Sequence, residues 1–590
     1  MKFRFPKNIN FYLVVCGITS FIFSGISGFN PKVDTSLINR ALNDETEILV
    51  WIYLSDKGED VKFKLNNPGF YLTKKSIERR LKKIKSNRIA DYNDVPVNYI
   101  YLNELVSTGI KIRHVSKWFN AVSCYVNRNQ IETAAGKNFV MRIEPVRKYK
   151  KVLPNVNLDF SPNQFPLIQE KVSAINYGPS LNQNALIAVP QVHDKGFMGQ
   201  GVLIASLDAG FDNLAHNCFD KIREKGLRTY DFVNGDTIVA DGKGRLGQGA
   251  HGTITLSLVC GYDEGDLVSP AFESQFILAK TENTESETPV EEDNWVAAAE
   301  WADSLGADVI TSSLGYLQFQ EPYPSYTWQS MNGSTALITR AADLAVSKGI
   351  VVVISAGNDG LNTEHNTLSA PADGFNVITV GSVNYTKFRS SFSSVGPTVD
   401  GRIKPDVMAL GQFNYCAKSG NGNLGYTSSN TGTSLACPMV AGVCAMLLSA
   451  KSDLTPAQIT EILKTTADSS SRPGNLRGWG IINAELALQK IEEMNTVLPG
   501  DFILEQNYPN PFNPVTNFKF ELKKEANISI VLHDIAGREI LKIADNVFYT
   551  TGIKEIKHNL SGDGMSSGVY FFSLLANGTA VDTKKLVLLK

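Results

Sequence analysis

Four residue types that cooperate in attack on a carbonyl stand in constrained settings in this chain, and the serine among them has the most informative surroundings. Ser434 lies in Gly432-Thr433-Ser434-Leu435-Ala436-Cys437-Pro438-Met439-Val440-Ala441-Gly442. Turn-rich Asn430-Thr431-Gly432 precedes it, and Leu435, Val440, Val443, Met446 and Leu447 follow at helical spacing, which places the serine in the first turn of a helix. Backbone N–H groups at such a start lack partners and carry the positive end of the helix dipole, so an oxyanion forming beside the hydroxyl is favoured. Pro438 has no N–H to offer the Ser434 carbonyl, so a distorted opening turn is expected. A lone serine at this position is far more often a cap than a nucleophile.

Company changes that reading, because a serine hydroxyl needs a base and an orienting carboxylate. Of seven histidines, only His251 opens a His-Gly-Thr segment leading into an apolar helical pattern through Leu256, Leu258 and Val259. Asp208 ends Val202-Leu203-Ile204-Ala205-Ser206-Leu207, an apolar run of the kind a buried parallel strand shows. A carboxylate there faces the active side of an open α/β sheet. A second run, Gly349 to Ser355, ends in Ala356-Gly357-Asn358, which brings a side-chain amide to the same sheet edge.

Asp208-Ala-Gly, His251-Gly-Thr, Ser355-Ala-Gly-Asn358 and Gly432-Thr-Ser434-Leu-Ala-Cys-Pro, in that order, together resemble the subtilisin-like serine proteases, or subtilases. The resemblance implies that Ser434 attacks the peptide carbonyl, that His251 takes and returns the proton, and that Asp208 fixes the imidazole tautomer. It further implies an oxyanion site made by the Ser434 N–H and the Asn358 side chain. Ser313, Leu314 and Gly315 are similar to the family's segment that pairs with extended substrate, and Ala356 and Gly357 to the opposite wall of the pocket. Small residues on that wall lean towards cleavage after apolar or aromatic side chains. Two departures are Ala209, where the family commonly has Ser or Thr, and Met439, which replaces a common histidine; neither position transfers protons.

The elements that must hold these residues follow from alternation. Between residues 166 and 495, helical stretches such as Asp293 to Ser304 and Ser334 to Ser347 alternate with apolar strands, which predicts a mainly parallel sheet with helices on both faces. Residues 1–28 read as a signal peptide, with Lys2, Arg4 and Lys7 before an apolar core from Phe11 to Phe23 and a small-residue exit. A lipid attachment at Cys16 is the weaker alternative, because Val15 is large for the position before such a cysteine. No other segment approaches membrane-spanning length, so the mature chain is expected to lack a transmembrane segment.

Residues 29–165 form a small α+β unit, with strands expected at Glu47 to Tyr53, Ala121 to Val126 and Phe139 to Ile143. Thr73 can cap a helix from Lys74 to Lys85 whose Ile77, Leu81 and Ile84 form one stripe, so its lysines and arginines are expected as a solvated face. By resemblance this unit is the propeptide, an inhibitor removed by a cut between Lys148 and Tyr177. Residues 496–590 shift to short alternating strands separated by Gly, Asn and Asp turns, which indicates a β-sandwich. Asn510-Pro-Phe-Asn-Pro514, Asp534-Ile-Ala-Gly-Arg538 and Ser567-Gly-Val-Tyr570 resemble the sorting domain of type IX secretion substrates; a carbohydrate-binding or adhesive module is the alternative.

With 57 basic and 59 acidic residues, charge gives no case for nucleic acid. Six cysteines remain beyond Cys16, without metal-ligand spacing, and Cys437 and Cys444 read as buried thiols rather than a bridge. Gly242 to Gly247 and Gly420 to Gly425 match a dinucleotide fingerprint only formally, since neither sits between a strand and a helix. Gly564-Met-Ser-Ser-Gly568 matches a lipase-like elbow, but no histidine follows to complete that order. The expectation is a secreted or surface serine endopeptidase made as a zymogen, acting on polypeptides, inhibited by its own propeptide and exported through an outer membrane. A catalytically inactive surface protein of the same fold is the alternative. The chemistry requires no cofactor, and a structural calcium is a family expectation for which no carboxylate run specifies a site.

Overall fold

Apolar runs of five to seven residues dominate the interior, and each run expected as a buried strand forms one. The computed structural model describes residues 30–146 and 173–589, apart from 36, 38–46, 85–88, 248, 285–290, 318–324, 363, 421, 496–498, 536 and 561–564. The expected signal peptide, and most of the stretch expected to hold the propeptide cut, lie outside the described residues. The described chain falls into two compact units, one drawn from Met1–Tyr71 and Ala90–Arg147, the other from Leu72–Ile89 and Lys148–Lys590.

The first unit is a four-stranded antiparallel sheet in the order Lys111–Ser116, Ala121–Val126, Ile48–Leu54, Val140–Pro145. Ile48–Leu54 is buried at every residue because it is flanked by strands on both sides and forms part of the core with Val122, Cys124, Ile131 and Ile143. Arg128–Ala135 is a helix started by a capping box, with Asn127 accepting from the Gln130 N–H at 3.0 Å and Gln130 closing back on the Asn127 N–H. The strand Lys111–Ser116 and the helix Tyr99–Ser107 were not expected from the sequence; Lys, Arg and His in the former mask its strand character.

The second unit is built on a seven-stranded sheet in the order Val407–Leu410, Ile378–Val383, Val351–Ser355, Val309–Ser312, Leu203–Asp208, Gln275–Lys280, Arg228–Asp231. Every pairing is parallel, so all strands end on one edge. The helix Thr433–Ala450 packs across the four strands from Val309–Ser312 to Val407–Leu410 and against the helix His251–Cys260. Its 18 residues are apolar and long enough to cross a membrane, but 83% of the span is buried inside the fold, which makes it the core helix. Two antiparallel sheets follow, one of Phe502–Leu504, Val515–Leu522 and Gly552–Asn559, the other of Glu539–Tyr549, Ala526–His533, Gly568–Ala576 and Thr579–Leu588. Val515–Leu522 alternates half-buried and buried residues along its length, sending Phe518 and Phe520 into a core shared with Phe572 and Leu574.

One expectation is overturned. The helix Lys74–Lys83 is capped by Thr73 as expected, its Oγ1 accepting from the Ser76 N–H at 3.3 Å. Its cationic residues divide: Lys74 and Lys82 are exposed as expected, but Arg79, Arg80 and Lys83 are buried at 3, 1 and 4% exposure, while Leu81 is 63% exposed. The reason lies more than two hundred residues along the chain, where Asp303 and Asp308 supply carboxylates that no helical periodicity within 74–85 can reveal.

Candidate active site

Parallel strands deliver their C-terminal residues to one edge, and the candidate side chains arrive there by that route. Asp208 is the last residue of Leu203–Asp208 and is buried. Its Oδ1 accepts from the Ala209 N–H at 2.7 Å and lies 2.6 Å from His251 Nδ1. Its Oδ2 accepts from Thr255 Oγ1 at 2.9 Å. Thr255 sits one turn into the helix that His251 opens, so a single helix supplies both the imidazole and a hydroxyl that orients the carboxylate. This answers the departure at Ala209. The backbone N–H there serves whatever the side chain, and the hydroxyl comes from Thr255.

His251 begins the helix His251–Cys260, with a side-chain exposure of 24% that leaves part of the ring accessible. A carboxylate on Nδ1 holds the proton there and turns Nε2 into an acceptor. No hydrogen bond joins Nε2 to Ser434 Oγ; such contacts are often long without substrate and tighten when it binds.

Ser434 is the second residue of Thr433–Ala450, at 9% exposure. A Cβ on Gly432 would lie 2.8 Å from Ser434 Oγ and 3.7 Å from Asn358 Nδ2, so only glycine leaves this space clear. Asn358 follows the strand Val351–Ser355, and its Oδ1 accepts from both the Thr433 N–H (2.9 Å) and Thr433 Oγ1 (3.0 Å). With the carbonyl end of the amide so held, its NH2 is the end turned towards the serine. Thr433 Oγ1 also lies 3.1 Å from the Gly357 carbonyl, so its one proton is shared between that oxygen and Asn358 Oδ1, which ties the expected pocket wall to the same turn.

Pro438 lies inside the helix, as expected, and deprives the Ser434 carbonyl of its usual donor. Ser313 Oγ fills the vacancy at 2.9 Å. Ser313, Leu314 and Gly315 directly follow the strand Val309–Ser312, and the next residue, Tyr316, exchanges both backbone hydrogen bonds with Ala370. The glycines of the two expected walls converge: a Cβ on Gly315 would meet Ser369 Oγ at 2.3 Å, and one on Gly357 the same atom at 2.9 Å. Ser369 Oγ is buried and makes no hydrogen bond within the described residues, so the space between the walls is bounded by a polar group. Ala356 is buried behind that wall.

The structure therefore gathers Asp208, His251, Ser434 and Asn358 at the first turns of two adjoining helices and the ends of two parallel strands. Thr255, Thr433 and Ser369 were not singled out from sequence. Thr255 and Thr433 had a signal available: each lies within one turn of a candidate residue on an apolar helix, where an unexplained hydroxyl calls for a partner. Cys437, three residues beyond Ser434, is a buried thiol whose pKa burial pushes up to about 12, which removes it as a rival nucleophile. The remaining described cysteines are likewise buried. Among the described residues no group of three or more His, Cys, Asp or Glu is placed to hold a metal ion.

Three family descriptions match the chain: the Subtilase family over residues 199–481, a peptidase S8 propeptide domain of Bacteroidota over 49–158, and a secretion system C-terminal sorting domain over 506–589. Subtilisin DY of Bacillus licheniformis is 34% identical over 306 residues, which are 52% of this chain and 97% of that protein. Subtilisin NAT of Bacillus subtilis subsp. natto is 32% identical over 329 residues, 55% of this chain and 74% of that protein. A solved structure described as proteases from Pseudoalteromonas arctica PAMC 21717 is 24% identical, with a TM-score of 0.43 over 54% of this chain and 99% of its own.

Proposed function

The chain belongs to the subtilase family and is a serine endopeptidase with a propeptide and a secretion sorting domain, and from that premise we propose the residues and steps by which it cuts. Ser434 Oγ attacks the peptide carbonyl while its proton passes to His251 Nε2. The charge that appears on the imidazole is balanced by Asp208 at Nδ1. The oxyanion is held by the Ser434 N–H and Asn358 Nδ2. The imidazolium then protonates the departing amine, and water repeats the sequence in reverse to release the acyl group. Polypeptide is accepted in extended form along Ser313-Leu314-Gly315, with the side chain before the cut lying between that segment and Ala356-Gly357. Synthesis as a zymogen ends with a cut between Lys148 and Tyr177, after a signal peptide over residues 1–28 and type IX export have taken the chain to the outside or the cell surface.

The observation that most supports the reading is that Thr433 holds the oxygen of Asn358, which leaves the NH2 of that amide beside Gly432 and Ser434, where an oxyanion would form. Purified parent chain and Ser434→Ala are to be incubated side by side with casein. The parent is expected to degrade it, and the variant to lose on the order of 10⁶ in kcat. Equal inactivity of the two defeats the assignment and favours an inactive surface protein.

A further inference from the structure

Asp212 is a buried carboxylate that none of the steps above employs, and it lies on the loop that leaves the strand ending in Asp208. That loop runs close against the segment that opens the histidine helix. A Cβ on Gly210 would stand 2.7 Å from the Gly249 carbonyl oxygen, and one on Gly252 2.3 Å from that of Gly210. The close approach brings Asp212 to the second residue after His251. Thr253 Oγ1 donates to Asp212 Oδ1 at 2.6 Å and accepts from the Asn213 N–H at 3.2 Å, with Thr253 fully buried.

The second oxygen of the same carboxylate serves a different element. Asp212 Oδ2 accepts from the Gly420 N–H at 2.6 Å, in the turn between the paired strands Cys416–Ala417 and Tyr426–Thr427. Asn213 grips the same turn: its Nδ2 donates to the Lys418 and Asn423 carbonyls at 3.1 and 2.6 Å, and its Oδ1 accepts from the Gly422 N–H at 3.3 Å. This hairpin connects the two halves of the site. Its outgoing strand rests on the helix His251–Cys260, where the Ala417 N–H donates to Ser257 Oγ at 3.1 Å. Its return strand runs on to the serine turn, where the Asn430 carbonyl accepts from the Phe413 N–H at 2.9 Å and the Gly432 N–H donates to the Gly411 carbonyl at 2.8 Å. Asp208, by contrast, bonds the Ala209 N–H, His251 and Thr255, all on the histidine side.

We propose that Asp212 is a positioning residue that sets the separation of His251 from Ser434, by bracing the turn that opens the histidine helix against the hairpin that leads into the serine turn. It touches neither substrate nor a reacting atom, and the inference rests on the proteolytic reading above and extends it. Transfer of the serine proton needs Oγ and Nε2 within hydrogen-bond reach, and a misplacement of about 1 Å can lower a rate by about 10²-fold. The carboxylate suits the task because both of its partners arrive as donors, and each oxygen takes one.

The test compares the parent enzyme with Asp212→Ala, Thr253→Val and Thr253→Ser, each matured from the full chain, with active sites counted by burst titration so that misfolded or unprocessed molecules drop out. Asp212→Ala, which removes both bonds, is expected to lower kcat per titrated site on a short peptide by up to about 10²-fold at nearly constant KM. Thr253→Val keeps the shape and deletes one bond, so a fall of about tenfold is expected, and it serves if the alanine variant does not fold. Thr253→Ser keeps the hydroxyl and is expected to stay within about twofold of the parent. Combining Asp212→Ala with Thr253→Val is expected to cost little beyond Asp212→Ala alone, since both break one link. Inactivation by a small sulfonyl fluoride, which needs the same proton transfer but no bound peptide, is expected to slow by the same factors as kcat. A structural role alone would lower the thermal midpoint and the titratable fraction while leaving kcat per site unchanged. That result, or a change carried by KM, overturns the proposal in a parent that turns over peptide. A parent that neither turns over peptide nor reacts with the sulfonyl fluoride overturns the proteolytic reading itself, and this proposal with it.

Discussion

The serine helix Thr433–Ala450 and the basic helix Lys74–Lys83 both lie where backbone groups lack partners, and they meet that need with different chemistry. Around the serine helix the closing groups are neutral and short: Ser313 takes the carbonyl that Pro438 leaves open, and Thr433 clasps the Asn358 amide. Around the basic helix they are guanidinium and carboxylate, fully withdrawn from water. Neutral closures are modest individually, about 1 kcal/mol each, and therefore suit a site that must admit substrate and shift by tenths of an ångström. Charged closures are all-or-nothing: complete, they hold one geometry; with one partner missing, they leave an uncompensated ion inside. The two helices thus use opposite ends of the same scale.

The comparison is broken most easily at its charged end. Burial alone would hold the Arg79 guanidinium below its usual range, and Asp303 opposes that by favouring the charged form. Asp303→Ala leaves two guanidiniums without their carboxylate and is expected to lower the unfolding free energy by about 3–5 kcal/mol, read from denaturant titration of the full chain. Arg79→Met, Arg80→Met and Asp303→Leu combined are expected to return to within about 1–2 kcal/mol of the parent, because apolar residues of similar volume need no desolvation. A single variant as stable as the parent would mean that the cluster is not withdrawn from water.

These two regions also divide what sequence can convey. Asp208, His251, Asn358 and Ser434 were legible because each sits at a junction whose pattern is local: an apolar run stopped by a carboxylate, a glycine turn opening an apolar helix. The parallel sheet was legible for the same reason, as were the strands Ala121–Val126 and Ala526–His533. The basic helix was misread because its sequence has an apolar stripe of the right period, and nothing local says that the opposite face meets Asp303. Thr255, Thr433 and Ser369 were missed on similar grounds. A hydroxyl acquires a role only when its partner, 47, 75 or more residues away in the first two cases, is placed beside it.

At the neutral end, the larger effect belongs to the group that touches developing charge. Asn358→Ala is expected to lower kcat by roughly 10² to 10³ while leaving KM for a short peptide substrate nearly unchanged, since the donor strengthens its bond only as the oxyanion forms. Steady-state kinetics on the folded variant decide it. A change carried mainly by KM would show that the amide contacts the ground-state substrate instead, and the clasp by Thr433 would then need another purpose.

The smallest expected effect tests the closure that the comparison itself identified. Ser313→Ala removes the only hydroxyl on the Ser434 carbonyl among the described residues and leaves that oxygen open in the first turn of a kinked helix. The loss is of the order of one neutral hydrogen bond, so kcat is expected to fall by about tenfold or less. Two outcomes separate positioning of the serine from contact with substrate. If Ser313 acts through Ser434, kcat falls at nearly constant KM and Ser313→Thr, which keeps the hydroxyl, restores most of it. If Ser313 serves only the extended substrate beside Leu314 and Gly315, KM rises, the effect grows with substrate length, and the Ser434 carbonyl that Pro438 leaves open has no bearing on the rate.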